Sequence, residues 1–341
     1  MFAEGVVWVN RAQLPSGIAT GIGSLPHRDA AAAAAFSLST LTLPTIPALP
    51  KRSPAEGMIP QALVGLAGIT IGQYGSIAFD VNGVDPEAPV VTDLNHDAFG
   101  GWRAFLAAAA GRTAPVKWQF VGPVTLGLAL VRAGLSSDVA FDVAVRAVRC
   151  RVRQLVEHVA EALPGCRQVV FIDEPKLDEL MGAGFPIPPD AAVDLVSAAL
   201  AAIESVAVIG LHVCATADIA SLVAMGPDVL SVPVDLRLLE SAGYLARFLD
   251  DGGTIAWGAV PTEGPIATSA ERPWRKLCEL WCELVHRGAD PSRLRQQSII
   301  TPECGLGTHT PAVADRVHRL TRDISDRVRD QAAATRFSLG A

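Results

Sequence analysis

Eight times along this chain a short apolar, β-branched run closes on polar or glycine residues and gives way to a longer helix-capable stretch. The runs are Ile18–Gly23, Thr45–Leu49, Val116–Val121, Gln168–Ile172, Val206–Val213, Val229–Val234, Thr254–Val260 and Gln297–Thr301. That alternation signals βα units on a parallel sheet. Eight units in 341 residues suit a (β/α)8 barrel better than a doubly wound sheet, which has fewer strands and a glycine-rich first turn; no G-x-G-x-x-G follows the first run. No linker, charge block or repeat divides residues 1–341, so the expected fold is α/β, a single TIM barrel. It carries an insertion after the second strand: a hairpin of Ser76–Asp80 and Val90–Leu94 around Asn82, Gly83 and Pro86, then a helix near Phe99–Ala110. Two more helices, Val124–Ala133 and Val139–Leu163, precede the fourth strand.

Composition removes several function classes. With 28 Lys+Arg against 35 Asp+Glu the net charge is −7, and no basic cluster offers the footprint that a phosphate backbone needs, so nucleic acid is not an expected partner. The apolar stretches Phe105–Gly111 and Leu195–Ile203 fall short of the roughly 18 residues that cross a bilayer, and Ala30–Pro50 is broken by three prolines, so no membrane partner is expected either. Met1–Gln13 has no basic start followed by an apolar core, which leads to a cytoplasmic expectation. Six cysteines spread over so long a chain read as thiols rather than as a disulfide framework.

In a barrel of this kind the chemistry sits at the C-terminal ends of the strands, so the polar residues that close each run form one candidate ring. The ring holds Gly23-Ser24, Asp173-Glu174, His212-Val213-Cys214, Asp235, Glu263 and Glu303-Cys304-Gly305. His212 and Cys214 stand two apart on a strand and point the same way. With Cys304 they supply one imidazole and two thiolates, a set that zinc accepts while keeping a fourth position for an exchangeable ligand. The same residues are equally compatible with a buried strand pair and a packed cysteine. Asp173 and Glu174 emerge where an apolar run ends; they suit a substrate ammonium, or else a helix cap and a salt bridge to Lys176. Gly23-Ser24 offers backbone N–H groups and a hydroxyl suited to a carboxylate, or simply a tight turn. Cys278 and Cys282 lie on one helical face and read as packing, as do Cys150 and Cys166; His27 and His309 stand near the expected barrel mouth.

At these residues the chain resembles the C-terminal catalytic domain of cobalamin-independent methionine synthase, in the superfamily that includes uroporphyrinogen decarboxylase. Ile22-Gly23-Ser24-Leu25-Pro26 resembles an I-G-S-F-P turn that binds the homocysteine backbone, and Val121-Gly122-Pro123-Val124-Thr125-Leu126 resembles T-G-P-V-T-I. Ile172-Asp173-Glu174-Pro175-Lys176-Leu177 is similar to I-D-E-P-A-L, His212-Val213-Cys214 to the H-x-C zinc pair, and Pro302-Glu303-Cys304-Gly305-Leu306 to P-D-C-G-L with the last zinc cysteine. The resemblance implies His212, Cys214 and Cys304 as zinc ligands. It implies Gly23, Ser24, Asp173 and Glu174 as contacts to a thiol amino acid, and a methyl transfer to its sulfur.

Two departures stand out. Where the family has a glutamate ligand in D-V-I-T-I-E, Asp228-Val229-Leu230-Ser231-Val232 continues to Pro233, which leaves Asp235 as the expected replacement ligand. Where it has D-I-H-S-P, with a histidine that aids the leaving group, Pro261-Thr262-Glu263-Gly264-Pro265 puts Glu263 in the catalytic place, beside Asp173. The separate N-terminal half of the full-length synthases has no counterpart here, so the donor, folate or corrinoid, stays open. Two rival readings accompany the zinc methyltransferase: a cofactor-free lyase, for which Arg28 and Arg52 are the early candidates to hold substrate carboxylates, and a barrel that binds a small ligand without turnover.

Overall fold

The computed structural model describes residues 12–80 and 83–338. In chain order the strands are β1 (Ile18–Ala19), β2 (Ile69–Ile71), β3 (Ile77–Phe79), β4 (Val116–Val121), β5 (Gln168–Asp173), β6 (Val208–His212), β7 (Val229–Pro233), β8 (Thr254–Val260) and β9 (Ser298–Pro302). Seven of them form one sheet in the order β1-β9-β8-β7-β6-β5-β4, parallel throughout. Residues 43–48 reach both edges of it. Leu43 N donates to the Ala19 carbonyl at 3.0 Å and Ala48 N to that of Gly23 at 3.3 Å, while Ile46 N donates to Lys117 and Lys117 N to Pro44, at 2.8 and 2.9 Å. One extended segment can touch both edges only because the sheet curls round on itself.

That segment corrects the eight-strand expectation. Thr45–Leu49 is not a regular strand: Pro44 and Pro47 carry no N–H, and the pairing reduces to the single bridges Thr20–Leu43, Ser24–Ala48 and Thr45–Lys117. The architecture is a curled, seven-stranded, TIM-like sheet rather than a regular closed barrel of eight strands.

Alternation along each strand separates two cores. Ile18, Val169, Phe171, Val208, Val229, Ala256 and Ile299 pack inside the curl with Leu43, while Trp118, Val170, Ile172, Leu230 and Trp257 face the helices. Burial on both faces is why these strands read as near-continuous apolar runs. Inside, the Phe171 ring lies where a side chain at position 210 would be, 2.3 Å from an added Cβ, so Gly210 is what admits that ring.

The insertion forms a hairpin with a different partner from the expected one. Ile77–Phe79 pairs antiparallel with Ile69–Ile71, upstream, rather than with Val90–Leu94. The tight turn is made by Gly72 and Gly75, the latter at φ 81°, with Gly72 N donating to Ser76 O at 2.8 Å. Asn82, expected in the turn, lies outside the described residues. The helices Gly100–Ala108, Pro123–Ala133 and Ser137–Ala162 match the expected segments to within a few residues. Among the described residues, no helix is long and apolar enough to cross a membrane.

Candidate active site

A cavity of about 560 Å³ opens at the C-terminal ends of the strands. Its floor is made by the last residues of neighbouring strands. Asp173 ends β5, His212 ends β6 and pairs in register with both Asp173 and Ser231 of β7, and Cys304 follows β9 by two residues. Ser24, Gln119, Cys214 and Glu263 also line it.

His212, Cys214 and Cys304 meet there. Cys214 Sγ is 3.3 Å from His212 Nε2 and 3.1 Å from Cys304 Sγ. The other imidazole nitrogen, Nδ1, is 2.9 Å from the Ser231 hydroxyl, which orients the ring with Nε2 toward the thiols. The hydrogen bond from Cys214 draws the Cys304 thiol down to about 4, with His212 assisting and burial opposing; the same bond pushes Cys214 up, so the pair shares one proton. Among the described residues no three His, Cys, Asp or Glu side chains stand at metal-site spacing. A tetrahedral zinc with bonds of about 2.3 Å holds two sulfurs about 3.7 Å apart. The 3.1 Å separation therefore lies between that value and a disulfide, and the two sulfurs would have to move apart by well under an ångström. By their chemistry a thiol, a thiolate and an imidazole held by an outer hydroxyl fit a zinc site, while their spacing is tighter than one.

Asp173 is 4% exposed and its Oδ1 has no hydrogen-bond partner. Burial pushes its carboxyl up to about 6, opposed by His212 and Lys117. Lys117, wholly buried beneath it, donates to the Ile22 carbonyl and lies 4.4 Å from the Phe171 ring centroid; burial draws its ammonium down to about 7. Lys117 thereby ties β4 to the turn that carries Ser24. In that turn Gly23 has φ 149°, and an added Cβ would fall 1.9 Å from the Gln119 amide carbon. The glycine is required by the packing of Gln119 as well as by its own backbone. Ser24 is stitched to the segment after Cys304: its carbonyl accepts from Leu306 N at 2.9 Å and its hydroxyl from Gly307 N at 3.2 Å.

Two expected site residues are placed elsewhere. Glu174, expected to contact substrate beside Asp173, is fully buried and does not line the cavity. Its carboxylate accepts from Val124 N at 2.8 Å and Thr125 N at 2.7 Å, capping the helix Pro123–Ala133 that follows the neighbouring strand β4. Asp235, expected as a ligand in place of the missing glutamate, does not line the cavity either. After Pro233 the chain turns into the 3-10 helix Leu236–Ser241, and Asp235 caps it, accepting from Arg237 N at 2.8 Å and pairing with the Arg237 guanidinium at 2.9 Å. Of the two histidines expected near the mouth, His309 lines the cavity and His27 packs against Phe36 at 4.9 Å between ring centroids. Arg28 donates to the Lys51 carbonyl, and Arg52 is held by Glu56 and Asp97; neither lines the cavity.

Sequence reasoning missed Ser231, Gln119 and Lys117. Each is a polar residue inside a largely apolar run: Ser231 stands two residues from Val229, and Lys117 and Gln119 pair in register with Val169 and Phe171, all three of those apolar residues packing inside the curl. That signal was present, but an isolated serine or lysine in a strand reads equally as an exposed edge until the pairing is known.

No protein-family profile matches the chain, and no curated protein does. Among solved structures it is similar to a B12-independent methionine synthase from Shewanella sp. W3-18-1 in complex with selenomethionine. The TM-score is 0.63 at 14% identity, over 94% of this chain and 99% of the other. At that identity the likeness shows a shared fold.

Proposed function

We propose that this protein is a zinc-dependent methyltransferase that methylates the sulfur of homocysteine or a closely similar thiol amino acid. The observation that carries the reading is the convergence of His212, Cys214 and Cys304 with Asp173 and Ser24 in one cavity at the strand ends. His212, Cys214 and Cys304 would hold the metal, which when bound supplies a Lewis acid that stabilises the substrate as thiolate. Ser231 fixes the imidazole. Asp173 accepts the substrate ammonium with its unpartnered oxygen, a charge-assisted bond inside a buried wall. Ser24 and the backbone beside it take the carboxylate, and Glu263 stands at the mouth where the donor enters. The selenomethionine held by the similar structure is an amino acid of the class proposed here, and so supports the reading.

Metal analysis of the protein and of Cys304→Ser is the test. About one zinc per chain, lost in the variant together with methylation of homocysteine, is the expected result. Absence of zinc after reconstitution would overturn it. The rival of ligand binding without turnover draws on the engagement of Asp235 with Arg237, which leaves three protein donors; it would be favoured by zinc and thiol binding with no reaction toward any methylating agent. The lyase reading loses support, because Arg28 and Arg52 are both committed outside the cavity.

A further inference from the structure

The charged side chains that line the cavity are acidic, and this bears on the donor. Among the described residues no lysine or arginine lines it, whereas Asp173, Glu263 and Glu56 do. Four cations near the Ser24 side of the cavity have internal partners, whereas Arg272, Arg275 and Lys276 line a neighbouring hollow that shares Glu263. Arg28 donates to the Lys51 carbonyl, Lys51 to that of His309 and Lys117 to that of Ile22, while Arg52 neutralises Glu56. Glu263, by contrast, is exposed and takes part in no ion pair or hydrogen bond among the described residues. Asp173 presents an unpartnered oxygen from a side chain only 4% exposed. A metal with two thiolates would add no net positive charge. A volume of about 560 Å³ is in the range that holds drug-sized ligands, so a small thiol amino acid leaves space for a second molecule. The wall available to it is apolar at Phe120, Val121, Pro175 and Met58.

We propose that the methyl donor is a sulfonium cation, recognised by the Glu263 carboxylate at the mouth and by the apolar wall beneath it. The proposal rests on the thiol-methylation reading. In the step, a lone pair of the substrate thiolate forms the new S–CH3 bond while the donor's CH3–S⁺ bond breaks and its electron pair stays on the donor sulfur. Anion and cation become two neutral thioethers, and no proton has to be delivered to the leaving group. An apolar cavity favours that loss of charge, and a cleft of one sign concentrates the cation before reaction. A folate with a polyglutamate tail presents the opposite charge. Arg272, Arg275 and Lys276 line a neighbouring hollow of about 810 Å³ that shares Glu263, and a polyanionic tail anchored there is the outcome that the folate arm of the test would reveal.

The experiment uses zinc-loaded protein and homocysteine with four labelled donors: trimethylsulfonium, neutral methyl iodide, methylcobalamin and methyltetrahydrofolate triglutamate. Calorimetric titration with trimethylsulfonium supplies a readout besides turnover. Saturable binding of trimethylsulfonium and label transfer faster than from the folate or the corrinoid are expected. Glu263→Gln is expected to lower the ratio of kcat/KM for trimethylsulfonium to that for methyl iodide about ten-fold, at the low end of what charge focusing by a cleft achieves. Glu263→Asp should keep most of that ratio. Methyl iodide consumed above the uncatalysed rate with no sulfonium binding or transfer would overturn the donor assignment and leave thiol methylation standing, as would preference for the folate or the corrinoid. No acceleration with any donor would overturn both.

Discussion

His318 shows how a single buried side chain couples this fold to pH. It sits in the C-terminal helix Pro311–Ser338, stacked on Phe36 at 4.8 Å between centroids, with Nδ1 2.8 Å from the Thr40 hydroxyl. Burial draws its pKa from 6.5 to about 3, with Arg322 and His27 adding to the shift, so the ring is neutral in the folded protein. The unfolded chain binds a proton at this site below about 6.5 and the folded one does not, so stability from His318 is lost as pH falls through that window. Between pH 6.5 and 4 the loss is on the order of 3 kcal/mol for one proton. Denaturant titrations across that range should show a shallower acid decline in His318→Gln than in the parent; parallel curves would contradict the assignment. Residue-scale reasoning from sequence expects His212, Cys214 and Cys304 to come together, and they do, because a strand-end position and a two-residue spacing define direction. It failed for Asp235, where parity was carried one step past Pro233 into a segment that had already turned.

At the level of elements, the helix Pro123–Ala133 is the clearest case of local signals and a distant cap acting together. Pro123 occupies its first turn, Gly134 at φ 111° ends it, and its Ncap, Gly122, has no side chain to satisfy the first amides. Glu174 does so from β5, and an added Cβ on Gly122 would lie 2.1 Å from its Oε1. Both ends of this contact are written in the V-G-P-V-T and I-D-E-P segments, but their meeting is not. Removing the carboxylate leaves two buried N–H groups unpaired and a void above Gly122. Glu174→Ala should therefore cost about 2–4 kcal/mol of unfolding free energy, measured by chemical denaturation. A cost within a few tenths would return Glu174 to the role of a dispensable contact. The hairpin teaches the complementary lesson: Ile77–Phe79 was visible as a strand, but its partner was decided by the Gly72–Gly75 turn rather than by the next apolar run.

At the scale of the whole molecule, the two edges of the sheet meet on a segment that pairs only through single bridges. Residues 43–48 hold β1 and β4 together through isolated bridges, whereas β5 and β6 lie between full parallel ladders. Local opening should begin where ladder bonds are fewest. In hydrogen exchange the amides of Leu43, Ile46 and Ala48 should exchange about ten-fold faster than those of Phe171, Ile172 and Leu211. Equal protection would mean that the segment opens only with the whole sheet. This matters for the site, because Ala48 and Pro50 form part of the cavity wall on the Ser24 side.

The number and order of the apolar runs, and the polar residues that close them, are properties of the chain alone, since strand period and burial on both faces leave a readable hydrophobic pattern. From these the parallel sheet and the His212, Cys214, Cys304 grouping were legible. Sheet curvature, the irregular join at 43–48, the pairing of Ser231 with His212 and the capping of a helix by Glu174 were decided only by tertiary structure. Each depends on which backbone groups and side chains come within hydrogen-bond reach, at sequence separations such as 19 residues for His212 and Ser231, 50 for Glu174 and Val124 and 73 for Pro44 and Lys117. A one-dimensional pattern records the side chain that is present; it does not record the partner that satisfies it.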